Sequence, residues 1–388
     1  MSSAAAAVGP PEAPGGGVVA FSGHRLRLDA DAETAMRRDM DAVLGRHAAE
    51  VGYGSLACGA DVLWAEALLE RGAAVHVVLP FDPEEFVETS VRPGGDGWVA
   101  RHVAVREAAA SMTVVWNGSY RGRDELYGLA TDRFLGRARL RADEAAVTPC
   151  FGVVWDRTGS SGVGGTGTDV ARWRRAGGAI DVVEPRGTRV RGGRRPREGP
   201  ALVVGAVLFA EADELALTRG DVPADDAAQA RRAIEATIDA ASDTIRYRNV
   251  GDDVLVVGRS VAAVGTLALE LRAAIEPVTA DGGRALGLGL VAHAGVTSAS
   301  DDTSHDTADD RIGAWARELH RSEPCAPVEG EVYATETFAA GLALDPHAEV
   351  VAERVVLAPN SNDRAGPSIY RLRRRRHGRG DVSRDRSS

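Results

Sequence analysis

Five short apolar runs divide residues 17–184: "VVAFSG" (18–23), "AAVHVVLP" (73–80), "SMTVVW" (111–116), "CFGVVWD" (150–156) and "AIDVVEP" (179–185). Each is apolar over about the length of one strand, as expected of a strand covered on both faces. Helical stripes lie between them. Met36, Met40, Val43 and Leu44 recur at i, i+4, i+7 and i+8, which places them on one helical face. "ADVLWAEALLERG" (60–72) reads as a helix closed by Gly72, and "GTDVARWRRAGG" (167–178) as a helix that turns Val170 and Trp173 inward. Buried strands that alternate with helices need crossover connections, which make neighbouring strands parallel. The segment is therefore expected to form a doubly wound parallel sheet.

That pattern ends at "PRGTRVRGGRRPREGP" (185–200), and 388 residues exceed one ordinary core. The chain divides into a leader (1–16), a first domain (17–184), an Arg/Gly-rich linker (185–199), a second domain (200–372) and a basic tail (373–388). The leader has neither the basic start nor the apolar stretch of a signal peptide. No apolar run reaches the length of a membrane span, so no membrane partner is expected and the cytoplasm is the expected location. Three scattered cysteines, Cys58, Cys150 and Cys325, form neither a disulfide framework nor a metal knuckle. All 46 basic residues are arginine, which excludes P-loop and Schiff-base lysine chemistry. Any phosphate must be met by arginine, backbone N–H groups or a metal. The tail lacks interleaved aromatics and the net charge is −10, which disfavours a nucleic-acid partner.

Ligands of such sheets bind beyond the carboxyl ends of the strands. Three loops have suitable chemistry: "SGHR" (22–25), "ACGAD" (57–61) and "GSSGVGGTGTD" (159–169). Glycines before a helix let backbone N–H groups approach an anion. "YGSLACGADVLWAEALLERGAAVHVVLP" resembles the DNA-processing protein A branch of the SLOG nucleotide-binding superfamily. "VGGTGTDVA" is similar to the PGGxGTxxE motif of its cytokinin-activating phosphoribohydrolase branch. The resemblance implies a Rossmann-like domain that holds an unidentified nucleotide-like ligand. The residues it would use are Gly23, His24, Arg25, Gly59, Asp61, Gly164, Gly165, Gly167 and Thr168. Val163 replaces the motif's proline and Ala171 its catalytic glutamate, which argues against phosphoribohydrolase activity.

The second domain is ordered differently. A strand, "ALVVGAVLFAEADEL" (201–215), leads to a helix with Ile234, Ile238, Ala241 and Ile245 on one stripe. The hairpin "YRNVGDDVLVVG", the helix 261–275, the strand 286–296, the helix 311–321, "EVYATETFAAGL" and "PSIYRL" follow. "LFAEA", "VGDDVLVV", "GLVAHAGV" and "IGAWAREL" resemble the landmarks of class III adenylate/guanylate cyclase domains, in order. The resemblance implies a ferredoxin-like α+β fold, a nucleoside triphosphate as ligand, Mg²⁺ or Mn²⁺, and a homodimer. It assigns metal binding to Asp252 and Glu211, and transition-state charge stabilisation to Arg317. Arg248, Asp306 and Gly313 fall at base- and ribose-binding positions. Glu211 stands where the family has aspartate, one methylene shorter, and Gly313 where it has asparagine. These departures favour a nucleotide-signalling protein with weak or lost turnover; the alternative is an active cyclase that forms a 3′,5′-cyclic nucleotide and pyrophosphate.

Overall fold

The computed structural model describes residues 16–116, 122, 124–158, 165–190, 202–211, 224–241, 245–250, 253–258, 260–277, 279–280, 284–285, 289–298, 331–355 and 368–375. The first sheet comprises β1 (Gly17–Gly23), β2 (Ala49–Gly54), β3 (Ala74–Leu79), β4 (Ser111–Val114), β5 (Cys150–Val154) and β6 (Ala179–Val183). Its order is β4-β3-β2-β1-β5-β6 and every pairing is parallel. Helices α1 (Ala30–Arg46), α2 (Ala60–Glu70), α3 (Asp96–Ala108), α4 (Glu125–Ala145) and α5 (Thr166–Arg175) connect the strands. Successive residues of β1 face opposite ways, so Val19 and Phe21 join the core under α1–α3. Val18 and Ala20 join the core under α4 and α5. The stripe of Met36, Met40, Val43 and Leu44 is buried as expected, as are Val170 and Trp173.

Strand β2 was not apparent from its sequence, "AEVGYG". A side chain at Gly52 would begin 2.3 Å from Leu68 of α2, and one at Gly54 would begin 2.3 Å from the Phe21 ring. Close packing therefore selects glycine and removes the apolar signature of a strand. Residues 185–190, grouped by composition with the linker, are tied to the first sheet's loops. Thr188–Arg189 pairs antiparallel with Leu26–Arg27, and the Val190 amide donates to the Arg25 carbonyl at 2.8 Å.

The second sheet contains β7 (Leu202–Glu211), β8 (Ile245–Val250), β9 (Asp253–Gly258), β10 (Gly289–Ser298), β11 (Val332–Thr335), β12 (Val350–Val355) and β13 (Ile369–Arg374). Helices α6 (Ala224–Asp239), α7 (Val261–Ile275) and α8 (Glu336–Ala343) accompany it. The order is β8-β9-β7-β10-β11-β13-β12. Its first part runs strand, helix, hairpin, helix, strand with antiparallel neighbours, which is a ferredoxin-like arrangement. The expected helical stripe through Ile245 is corrected. Helix α6 ends at Asp239, and Ile245 opens β8 opposite Gly258. "IRYR" (245–248) also alternates with period two, and pairing with β9 prevails over the helical reading. Strand β12 has no counterpart among the sequence expectations.

Helix α4 packs against α8 and joins the two units. The Cβ of any side chain at Gly136 would lie 2.2 Å from the Ala340 carbonyl oxygen. Arg137 Nε donates to Glu336 Oε1 at 3.1 Å, and Arg354 Nη1 to Glu144 Oε2 at 3.0 Å. Leu140 of α4 is part of the second core.

Candidate functional site

Strand order reverses at β1, whose connection leads to β2 on one side while β5 lies on the other. A crevice forms beyond the carboxyl ends of two strands at such a switch point. Here those ends are Gly23 and Val154, which pair directly. A Cβ on Gly23 would fall 2.5 Å from the Ala60 Cβ and 2.8 Å from the Val154 Cβ, so only glycine lets α2 and β5 approach β1 this closely. The following turn is pinned by the His24 amide donating to the Val154 carbonyl (3.1 Å). The Ala60 amide donates to the His24 carbonyl (3.3 Å). Helices α2 and α5 both start here, at Gly59 and Gly165. Gly59 has φ +88° and Leu26 N would be 2.4 Å from its Cβ, which excludes other residues.

His24 is central to the crevice. Its Nε2 lies 3.2 Å from Asp156 Oδ1, and its Nδ1 lies 3.3 Å from Thr166 Oγ1 at the start of α5. Arg189 contacts the same Nε2 and pairs with Asp156 Oδ2 at 2.5 Å. A protonated Nε2 donates to Asp156, whereas a bare Nε2 accepts from Arg189. Burial lowers the His24 pKa more than Asp156 raises it, so the ring is neutral near pH 7. Partial burial opposes ionisation of Asp156, but the Thr158 hydroxyl and amide and His24 outweigh it and hold the carboxyl at about 2. The crevice thus has an ionised carboxylate, a neutral imidazole and a guanidinium in mutual contact. Arg25 is held at one side by donating to the Thr89 carbonyl at 3.2 Å.

Two further carboxylates lie beneath. Asp61, in the first turn of α2, accepts from the Ala57 amide at 3.1 Å, and Asp169, in the first turn of α5, accepts from Ser22 Oγ at 3.3 Å. They are only 5% and 3% exposed. Burial pushes each carboxyl up to about 7, and Asp169 also raises Asp61. Among the described residues, one oxygen of each, Oδ1, has no hydrogen-bond partner.

Of the residues expected to bind ligand in the first domain, Gly23, His24, Arg25, Gly59, Asp61, Gly165, Gly167 and Thr168 lie at this strand end or in the first turns of α2 and α5. Gly164 lies outside the described residues. Asp156 and Arg189 lie outside the expected loops, whereas Thr166 and Asp169 lie within the expected loop 159–169 without being singled out there. Asp156 directly follows a strand, a position that could have suggested it. Arg189 sits in an Arg-rich stretch where composition gives no cue. In the second unit Glu211 ends β7 opposite Gly289, and Arg248 lies in β8 opposite Leu255. Asp252, Asp306, Gly313 and Arg317 lie outside the described residues. Val250 and Asp253, which flank Asp252, pair with each other, and the next pair along β9 joins Val254 to Ala210, beside Glu211.

No protein-family model and no curated protein matches the chain. Among solved structures it is similar to adenylate and guanylate cyclase domains. The guanylate cyclase domain from Catenaria anguillulae in complex with GTP is 13% identical, and the match covers 45% of this chain and 100% of that one, with a TM-score of 0.33. An adenylate/guanylate cyclase/hydrolase from Silicibacter pomeroyi is 18% identical over 44% and 97% of the two chains, with a TM-score of 0.32. Monomeric adenylate cyclase from Trypanosoma brucei is 16% identical over 44% and 88%, with a TM-score of 0.31. Among the described residues no helix is long and apolar enough to cross a membrane.

Proposed function

We propose that this is a nucleotide-signalling protein with two ligand sites. The first unit, read as a SLOG-type sensor, takes a nucleotide-like ligand in the β1–β5 crevice. The second, read as a class III cyclase-homology domain, takes a nucleoside triphosphate with a divalent cation and has weak or lost turnover. The observation that carries the reading is the convergence of His24, Arg25, Asp156 and Arg189 with two helix starts at a topological switch point. Guanidinium groups and helix N-termini suit phosphate, while Asp156 and neutral His24 suit ribose hydroxyls. In the second unit, the ferredoxin-like strand order and the position of Glu211 beside the β8–β9 hairpin support the cyclase-homology reading. Carboxylates are the donor type that Mg²⁺ and Mn²⁺ prefer, and Glu211 with Asp252 would hold the ion. The described contacts also favour communication between the sites, because α4 reaches from the crevice side to α8. Arg172 of α5 pairs with Asp132 of α4 at 3.0 Å, and Arg137 on the same helix pairs with Glu336.

Calorimetric titration of the full chain with a panel of ribonucleotides tests the first site. At least one is expected to bind, with affinity reduced tenfold or more by Arg189→Ala. Absence of ribonucleotide binding, or binding indifferent to Arg189→Ala, would remove the crevice assignment.

A further inference from the structure

At the opposite, amino end of the first sheet, three different ligand types meet. His47 follows the last residue of α1, Cys150 opens β5 and Asp181 lies in the middle of β6. His47 Nε2 is 2.6 Å from Asp181 Oδ2, and Cys150 Sγ donates to that same oxygen at 3.3 Å. All three donor atoms lie within 4.8 Å of one another. We propose that His47, Cys150 and Asp181 form a binding site for a zinc-class divalent cation, separate from both nucleotide sites.

Four features support this assignment. First, Arg46 donates to Asp181 Oδ1 at 2.7 Å, which fixes the carboxylate and leaves Oδ2 as the point where histidine and cysteine converge. Hydrogen bonding to the non-ligating oxygen is the usual support for a metal-bound carboxylate. Second, Ala48 holds a left-handed conformation (φ +44°), unusual for a residue with a side chain, as the chain turns from His47 into β2. The sharp turn between α1 and β2 thus sets the backbone that carries the imidazole. Third, the 3.3 Å between Cys150 Sγ and Asp181 Oδ2 already matches the edge of a tetrahedral zinc site, whose ligand atoms stand about 3.3–3.7 Å apart on arms of about 2.0–2.3 Å. To share an ion, His47 Nε2 and Asp181 Oδ2 must part from their 2.6 Å hydrogen bond. Fourth, Cys150 is fully buried, while the side chains of His47 and Asp181 are each 28% exposed. An ion can enter from their side and keep one coordination position for water.

Thiolate and imidazole select a borderline or soft cation and disfavour Mg²⁺ and Ca²⁺. Without metal, burial and the neighbouring Asp181 push the Cys150 thiol up to about 12, so it carries its proton. Binding breaks that S–H bond, forms the metal–sulfur bond and releases the proton to solvent. His47 binds through the Nε2 lone pair, and Asp181 Oδ2 replaces its contacts to both groups with one bond to the ion.

Optical titration of the full chain with Co²⁺ tests the proposal, since a thiolate–cobalt bond gives a charge-transfer band in the near ultraviolet. One equivalent is expected to bind with such a band. Cys150→Ala should abolish the band, Cys58→Ala should keep it, and His47→Gln, at a partly exposed position, should weaken binding tenfold or more. Absence of the band, its survival in Cys150→Ala, or unchanged affinity in His47→Gln would each overturn the proposal.

Discussion

Among the described residues, Asp61 and Asp169 each leave one buried carboxylate oxygen without a hydrogen bond beneath the crevice. In the unfolded chain both ionise near the ordinary value of about 4, whereas in the folded protein both do so only near 7. Their contribution to stability is complete below the unfolded value and is lost as pH rises toward the folded one. Asp169→Asn keeps the shape and removes the ionisation. Its melting temperature should therefore improve relative to wild type between about pH 5 and about pH 8. A constant difference across that range would show that Asp169 ionises normally. His293, on β10, works in the opposite sense. Burial lowers its pKa to about 4, so its contribution is lost as pH falls from about 6.5 toward that value. His293→Gln should thus narrow the wild type's advantage on acidification, as read by the same melts.

At the scale of elements, α4 is the piece that makes one molecule of two units. Its 21 residues span roughly 30 Å, enough to touch β1, β2 and β3 and then α8. Gly136→Val would place its Cβ within 2.2 Å of the Ala340 carbonyl oxygen, where backbone atoms must give way. We expect a loss of about 1–3 kcal/mol and a split calorimetric transition, since the units would no longer unfold together. A single, unshifted transition would contradict that role. Trp173, fully buried with its Nε1 donating to the Ala179 carbonyl at 2.7 Å, anchors α5 on β6. Trp173→Ala should cost about 3–5 kcal/mol in chemical denaturation.

These elements also show what the sequence makes legible. Strands with largely apolar runs, such as β1, β3 and β5, announce themselves because both faces are covered. Strand β2 does not, because its glycines answer to Leu68 and Phe21, which are distant in the chain. Glycines flanking a helix start mark the crevice loops, so Gly23, Gly59 and Gly165 could be placed. Arg189 reaches His24 only through a short antiparallel pairing with Leu26–Arg27, which no local pattern encodes. The cluster of His47, Cys150 and Asp181 is assembled by sheet order alone.

On the scale of the whole molecule, a parallel α/β unit and a ferredoxin-like unit share a helical interface, and the first presents a sheet end with ligand-type side chains. In the proposed function, the second unit binds a nucleoside triphosphate through a metal held by Asp252 and Glu211, with little or no turnover. This binding is tested most directly by titrating the full chain and Asp252→Ala with each ribonucleoside triphosphate, with and without Mn²⁺, while mass spectrometry follows cyclic mononucleotide. Triphosphate binding is expected to require Mn²⁺, to be lost in Asp252→Ala and to yield little or no cyclic product. Binding that ignores the metal or survives Asp252→Ala would contradict the site, and sustained cyclic product absent from the variant would contradict the loss of turnover.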